Sequence, residues 1–470
     1  MLRILLIFLI YIIGVQASAD APVLPVFSGA EGFGTRTTGG RGGIVCKVTN
    51  LNDSGTGSLR DCIDNPQPRI IIFTTGGIIR LESNLSIRHP YLTIFGQTAP
   101  GDGIVVTGTP TIQQALVTIA THDVVVQHLR FRTSLGSEPD CCSHALTIAP
   151  AENNDPLANI VLDHCSFSGG TTGIIACTND THDTTLSYNI IGPGHKQAVK
   201  EKEDDGNQGI FFDSPGTHAI SLHHNLVIHS QSSNPSFKTG NGIIDIVNNL
   251  IYNWGQSGVE IISKHGKMQV NLIHNLYVMG KDSQREAPEL AARNAGEDYQ
   301  LFLEENLSIR DSEQPEPLPV NFNLLGWPTA NWESNERFPA PPITTFKAQT
   351  LLDKILPTVG AILPRRDATD LAAVEDTRKQ QGNIPPCPTP PECPVNTAAP
   401  SVYASGSSAT DKDDDGIPDT WEQANTLDPD KPDATEDHNV NGYSNIEEWV
   451  FSLTPSTALA QHHQKAKAAN

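Results

Sequence analysis

A right-handed, single-stranded parallel β-helix followed by a small acidic calcium-binding module is the all-β architecture this sequence predicts. Three observations carry that expectation. Short β-branched runs recur down most of the chain, asparagines stand at near-regular intervals within them, and two twelve-residue loops near the C-terminus present oxygen ligands in the order calcium needs.

The runs are Val124–Phe131, Asn159–Phe167, Thr185–Ile191, Ala219–Ile228, Ile243–Tyr252 and Gln269–Val278. Each holds a short apolar stretch, a polar pair and a second apolar stretch. Asparagine precedes the second stretch at Asn189, Asn225, Asn249, Asn275 and Asn306, at successive spacings of 36, 24, 26 and 31 residues. A spacing near 24 with insertions is what stacked coils produce, because one coil cannot bury its apolar side chains alone and neighbours must share a core. Aligned asparagines can then hydrogen-bond along the stack, and the insertions fall in loops on one face, where binding sites usually lie. A β-sandwich would repeat hairpin turns, whereas Asn241-Gly242 does not recur with the period.

Residues 1–19 read as a signal peptide: one Arg, an apolar run over Ile4–Gly14 too short to span a bilayer, then small residues around Ala17 and Ala19. The β-helix is expected over 25–384, a Pro- and Ser-rich linker over 385–410, the calcium module over 411–455 and a disordered tail over 456–470. The mature chain is therefore expected to be a secreted, extracellular monomer. There its eight cysteines can pair, in any of 105 ways, and Cys387 and Cys393 lie close enough to close a small loop. Asn52, Asn84, Asn179 and Asn306 stand in glycosylation sequons. A formal net charge of −22 argues against nucleic acid or an anionic membrane as partner.

Part of that acidic excess lies in the calcium loops. Asp411, Asp413, Asp415 and Asp419 occupy positions 1, 3, 5 and 9 of the first, with Gly416 at 6, the Ile417 carbonyl at 7 and Glu422 at 12. The second loop sets Asp437, Asn439, Asn441, the Tyr443 carbonyl, Asn445 and Glu448 on the same template. Its fewer charges predict weaker binding, and both sites read as structural.

Further segments carry a family signature: Phe27-Ser-Gly-Ala-Glu-Gly-Phe-Gly34, Thr38-Gly-Gly-Arg-Gly-Gly43, Val48-Thr-Asn-Leu-Asn-Asp-Ser-Gly-Thr-Gly-Ser-Leu-Arg60, Gly96-Gln-Thr-Ala-Pro-Gly-Asp-Gly103, Asp163-His-Cys-Ser-Phe-Ser168, His224-Asn-Leu226 and Asn248-Asn-Leu-Ile-Tyr-Asn-Trp-Gly255. Together they resemble the pectate lyases of polysaccharide lyase family 1, in particular the branch found in fungi and many bacteria, over most of residues 25–455. The resemblance implies the pectin-lyase-like β-helix and cleavage of a uronate polysaccharide, pectate or pectin, by β-elimination. A base removes the proton on C5 and the bond to O4 breaks. The proton is weakly acidic, so the adjacent carboxylate must be neutralised by calcium or by cationic side chains.

In the family an Arg-Asn-Pro-Arg/Lys motif carries the base, but here the stretch reads Ser233-Asn-Pro-Ser236. The calcium carboxylate expected ahead of Ala-Leu-Thr-Ile148 is His144, and Gly169–Gly173 replaces an acidic pair. That leaves Asp140 as one oxygen, a poor site for cleft calcium. What remains is cationic: Lys202 falls where the family keeps a substrate-binding Lys, Lys200 stands beside it, and Lys238 follows the serine-replaced motif. A Lys acts as base when burial or a neighbouring cation lowers its pKa, and His can serve as acid or base. The expected site is therefore Lys202, Lys238 and His144 as catalytic residues, with Lys200 and Asp140 binding substrate. Lys238 also reads as a solvated surface lysine, and His144 as a satisfied polar residue. The alternative to a lyase is a catalytically degenerate β-helix that binds wall polysaccharide. A hydrolase would need paired carboxylates about 5–10 Å apart, and no Asp cluster recurs on successive coils.

Overall fold

The computed structural model describes residues 24–454 apart from 110, 113–114, 134–143, 152–154, 171, 196–207, 233, 285–286, 295–297, 312–315, 321, 326–331 and 387–402. The expected signal peptide, the expected tail and the Cys387–Cys393 pair lie outside the described residues.

Each predicted run is one strand of a first sheet, a tight corner, and one strand of a second sheet. Val124–Gln127 passes through His128 into Arg130–Arg132, and Leu157–Asp163 passes through His164 into Ser166–Ser168. A third strand completes each coil, as His144–Ile148, Gly173–Cys177, Gln208–Ser214 and Ser236–Thr239 do. Among the described residues the three sheets hold ten, ten and nine strands. Neighbours run parallel, Leu157–Asp163 with Thr181–Ser187 for example. An antiparallel pair, Leu307–Ile309 with Leu318–Pro319, stands at the end of the second sheet. Inside, Ile148, Cys177, Phe212, Phe237, Ile261 and Ala292 lie in register on successive coils and are all buried.

The corners explain the polar pairs. His128, His164, Tyr188, His224, Asn248 and His274 turn the chain in the left-handed region, with φ between 49° and 57°. Asn and His tolerate that conformation better than most side chains. Tyr188 is the costly member, and its ring is held between His164 and His224 at centroid distances of 4.8 and 4.7 Å.

One residue past several corners stands the asparagine ladder. The Asn225 side-chain oxygen accepts from the Asn189 backbone at 2.9 Å and from its Nδ2 at 3.0 Å. The pattern repeats from Asn225 to Asn249, Asn249 to Asn275 and Asn275 to Asn306. Asn249→Ala strips the acceptor from two buried Asn225 donors, and a buried donor left unpaired costs about 1–3 kcal/mol. The variant is expected to unfold at markedly lower denaturant than the parent in an equilibrium titration. The ladder also corrects one expectation: Asn306 is buried, and its Nδ2 donates to the Leu272 carbonyl at 2.8 Å. No glycan fits on an amide so placed. Asn52, by contrast, is exposed.

Outside the coils, helix Ala368–Lys379 is pinned to the second sheet by buried charge. The Arg132 Nη2 donates to Asp370 at 2.7 Å and to Asp367 Oδ2 at 3.2 Å, and all three side chains are buried. Tyr403, inside the stretch expected to be a linker, donates its hydroxyl to Asp367. Beside it the Ala404 carbonyl accepts from Asp102 N at 2.9 Å, and the Ser405 carbonyl from Gly76 N at 3.1 Å. This end of the stretch is therefore attached, because its backbone groups find partners on the β-helix. Residues 411–453 are likewise seated on it: Ile417, Ile446 and Val450 pack against Ile70, Ile72 and Phe95 of the first sheet, and Arg41 pairs with Glu447 at 2.9 Å. Cys46 and Cys62 form a disulfide, while Cys165 and Cys177 are buried free thiols. No helix among the described residues is long and apolar enough to cross a membrane.

Candidate active site

The longer insertions lie in the connections from the second sheet to the third, after Arg132, Ile191 and Val278. The candidate residues all belong to, or precede, strands of that third sheet. His144 opens one strand, Lys238 lies in another, and Lys200 and Lys202 precede the strand that begins at Gln208. Asp140, Lys200 and Lys202 lie outside the described residues.

His144 is half-buried, level with Gly173 and Gln208 on the next two strands. Its ring lies 5.8 Å from that of Phe211, and its Nε2 is 3.4 Å from the Thr172 hydroxyl. A Cβ added at Gly173 would come 3.0 Å from His144 Cδ2 and 3.1 Å from Phe211 Cε1. One added at Gly170 would sit 1.8 Å from the Gly173 carbonyl oxygen. The acidic pair of the family pattern therefore has no room here. Among the described residues His144, Gly173 and Gln208 offer this edge no carboxylate.

Lys238 is not beside His144. It pairs in register with Asp213, five positions beyond Gln208, on the third strand over from His144. Three strand steps of ~4.8 Å and five residues at ~3.3 Å separate them by roughly 20 Å. The two cannot act on one sugar unit, so a single constellation of His144 and Lys238 is excluded by register. Ser236 is buried at the start of the Lys238 strand, and Asn234 donates its amide to the Ser257 carbonyl at 3.1 Å.

Residues that sequence reasoning missed stand around Lys238. Lys264 Nζ and His265 Nε2 lie 3.4 and 3.3 Å from Asp213 Oδ1. A signal was present, since Lys264 follows Lys238 by 26 residues, the same interval as one rung of the asparagine ladder.

In the acidic module Asp411, Asp413 and Asp415 bring oxygens within 4.8 Å of one another, and Asp415 does so again with Glu422 and Asp433. Asp433 lay outside the loop template and was not anticipated. Glu422 is fully buried, and neither carboxylate oxygen has a hydrogen-bond partner. Burial, with the charges of Asp413, Asp415, Asp433 and Asp419, raises its pKa to about 7. Buried acceptors with no donor are what a hard cation would satisfy, so these residues fit a calcium ion. Asp419 faces back into the loop, accepting from Lys412 N at 2.8 Å. The second loop is closed on itself: Glu448 Oε1 accepts from Asn439 at 2.7 Å and Asn441 at 2.6 Å. There Asp437 accepts from the Asn441 and Gly442 amides, the Tyr443 hydroxyl reaches the Pro25 carbonyl at 3.0 Å, and Asn445 is buried against His438 and Asp433.

No protein-family model matches the sequence. Among curated proteins it is 31% identical over 442 residues to a probable pectate lyase C of Aspergillus oryzae, covering 92% of this chain and 95% of that one. The chain belongs to the pectate lyase family. A probable pectate lyase C of Aspergillus fumigatus is 31% identical over 451 residues, 94% of this chain and 96% of that one. A solved structure found by comparison is pectate lyase C of Erwinia chrysanthemi, determined with calcium, at a TM-score of 0.41 and 16% identity, covering 73% of this chain and 99% of that one. As a member of the pectate lyase family the chain is a polysaccharide lyase, and the reading as a non-catalytic wall-binding protein is not favoured. Pectate lyases use calcium in general. In this pectate lyase family member the acidic groups placed to hold a metal lie, among the described residues, in the C-terminal module.

Proposed function

We propose that the chain is a secreted lyase that cleaves a uronate polysaccharide by β-elimination along the outer face of the third sheet. One observation carries this reading: Lys238, Lys264 and His265 gather about Asp213 on the sheet to which the His144 strand belongs. A polyanionic chain laid across that face meets this cationic group roughly 20 Å along from His144, the position of the family's calcium carboxylate. Lys202 takes the C5 proton, and cationic side chains hold the uronate carboxylate so that the developing negative charge is stabilised. The proton goes to the lysine nitrogen, the C4–C5 double bond forms as the C4–O4 bond breaks, and the departing O4 oxygen takes a proton from water. Lys200 and Asp140 contact the substrate near the base. With roughly 20 Å between them, His144 and Lys238 contact different units of the same polymer. The test is the ultraviolet absorbance of the unsaturated product on polygalacturonate and on methylated pectin, with calcium and with chelator. Absence of product on both polymers would sink the reading.

The C-terminal loops hold calcium for stability. With free ion at about a hundred times the dissociation constant, binding adds about 2.7 kcal/mol. Chelation is therefore expected to lower the melting temperature, and Glu422→Gln to remove most of that calcium-dependent difference. A melting temperature indifferent to calcium in the parent would refute it.

A further inference from the structure

A cavity of about 410 Å³ opens where the first sheet turns into the second. No strand of the third sheet lines it, so it is separate from the proposed cleavage face. Its size falls within the roughly 300–1,000 Å³ of ordinary small-molecule sites.

Its floor is a row of polar side chains laid down in register by successive coils: Gln127, Asp163, Ser187 and His223. Gln97 extends the row. Gln97 Nε2 donates to Gln127 Oε1 at 3.1 Å, and Gln127 Nε2 donates to Asp163 Oδ2 at 2.9 Å. The Ser187 hydroxyl donates to Asp163 Oδ1, and His164 Nδ1 stands against Oδ2, both at 2.7 Å. Donors along this row run toward the carboxylate, so acceptor capacity is left over at its far end. Gln97 is only 6% exposed, and its Oε1 has no hydrogen-bond partner. Buried acceptors of this kind call for a donor from outside the protein. The walls supply the rings of Phe27 and Phe346 and the edge of Tyr188, whose faces stack on His164 and His224, and Lys354 stands at the rim.

These features select a ligand class. A metal ion finds rings and two carboxylates already engaged, Asp163 by three side chains and Glu31 by the Thr344 amide and hydroxyl at 2.8 and 2.6 Å, and an inorganic anion meets those same carboxylates. A purely apolar ligand would leave Gln97 unpaired. A sugar unit answers each feature: hydroxyl groups donate to the acceptors, and its C–H face, slightly positive, packs against the electron-rich faces of aromatic rings. We propose that this cavity is a second carbohydrate site, taking one or two pyranose units independently of the cleavage face.

The test is calorimetric titration of the full secreted chain with galactose, galacturonate and digalacturonate. Saturable binding of at least one sugar is expected. Gln97→Met, which keeps shape but removes the acceptor, should weaken it at least tenfold. Thr358→Trp, which fills the cavity from a half-buried rim position, should do the same with an unchanged melting temperature, so the test survives if the Gln97 variant fails to fold. Turnover of polymer should stay at the parental rate in Thr358→Trp, which separates this site from the lyase reading. Stronger binding of galacturonate than galactose, lost in Lys354→Ala, would mean that the rim lysine reads a carboxylate. Equal binding would mean that the floor reads hydroxyl groups alone. No heat at millimolar sugar, or binding unaltered in Thr358→Trp, would overturn the proposal.

Discussion

Lys202→Ala is expected to lower the rate of unsaturated-product formation by about 10²–10⁴-fold, the span that a positioned general base contributes. The loss should fall on kcat, because the proton transfer belongs to the transition state. Lys238→Ala should act differently. Lys238 lies beside Asp213, on the strand next to Lys264 and His265, and its charge serves the bound polyanion. Its removal should raise KM more than it lowers kcat, with a larger penalty at low salt, since exposed charges are screened beyond ~10 Å at 0.1 M ionic strength. Steady-state kinetics at two ionic strengths read both effects. Full activity in Lys202→Ala with loss of kcat in Lys238→Ala would move the base to Lys238.

Arg132→Leu should destabilise the fold by about 3–5 kcal/mol, the penalty for leaving buried charge without its partner. Asp367 and Asp370 stay behind, both buried, with the Tyr403 and Ser166 hydroxyls and the Asp370 amide as remaining donors and Arg130 as the remaining cation, 3.9 Å from Asp367. In the parent, burial raises the Asp370 pKa, a shift that the Arg132 charge opposes. Burial also pushes Asp367 up, but Arg132 and the Tyr403 hydroxyl outweigh it and hold Asp367 below its usual value. The stability from a depressed carboxylate is present above its unfolded pKa and lost as pH falls through the folded one. Without Arg132 both carboxyls shift upward and take up protons on folding. The deficit of the variant should therefore be largest near neutral pH and shrink toward pH 4. Urea titrations at both pH values decide it, and a deficit that is constant with pH would show that the lost contribution is packing.

How far the sequence reached can be judged residue by residue. The ladder was legible because Asn189, Asn225, Asn249, Asn275 and Asn306 are the same residue type meeting the same local need, one corner per coil. The cluster of Asp411, Asp413 and Asp415 was legible because its carboxylates sit within one twelve-residue loop, where the backbone alone brings them together. Asp433 was not, because it joins Glu422 and Asp415 from a separate turn. The sequon at Asn306 misled, since three residues carry no record of burial. Tyr403 sits in a stretch whose composition reads as a linker, yet its hydroxyl reaches a buried carboxylate.

By itself, then, the sequence determined what repeats: the coil, the asparagine next to its corner, the family motifs and the spacing of oxygens in each acidic loop. These are set by contacts within one coil or between identical positions on neighbouring coils. Tertiary structure alone decided what depends on register summed over several coils. It put roughly 20 Å between His144 and Lys238, set Lys264 and His265 beside Asp213, and lined up Gln127, Asp163 and Ser187 under a cavity. The physical reason is that stacking fixes each strand against the next, while insertions of unequal length hide that alignment from any count along the chain.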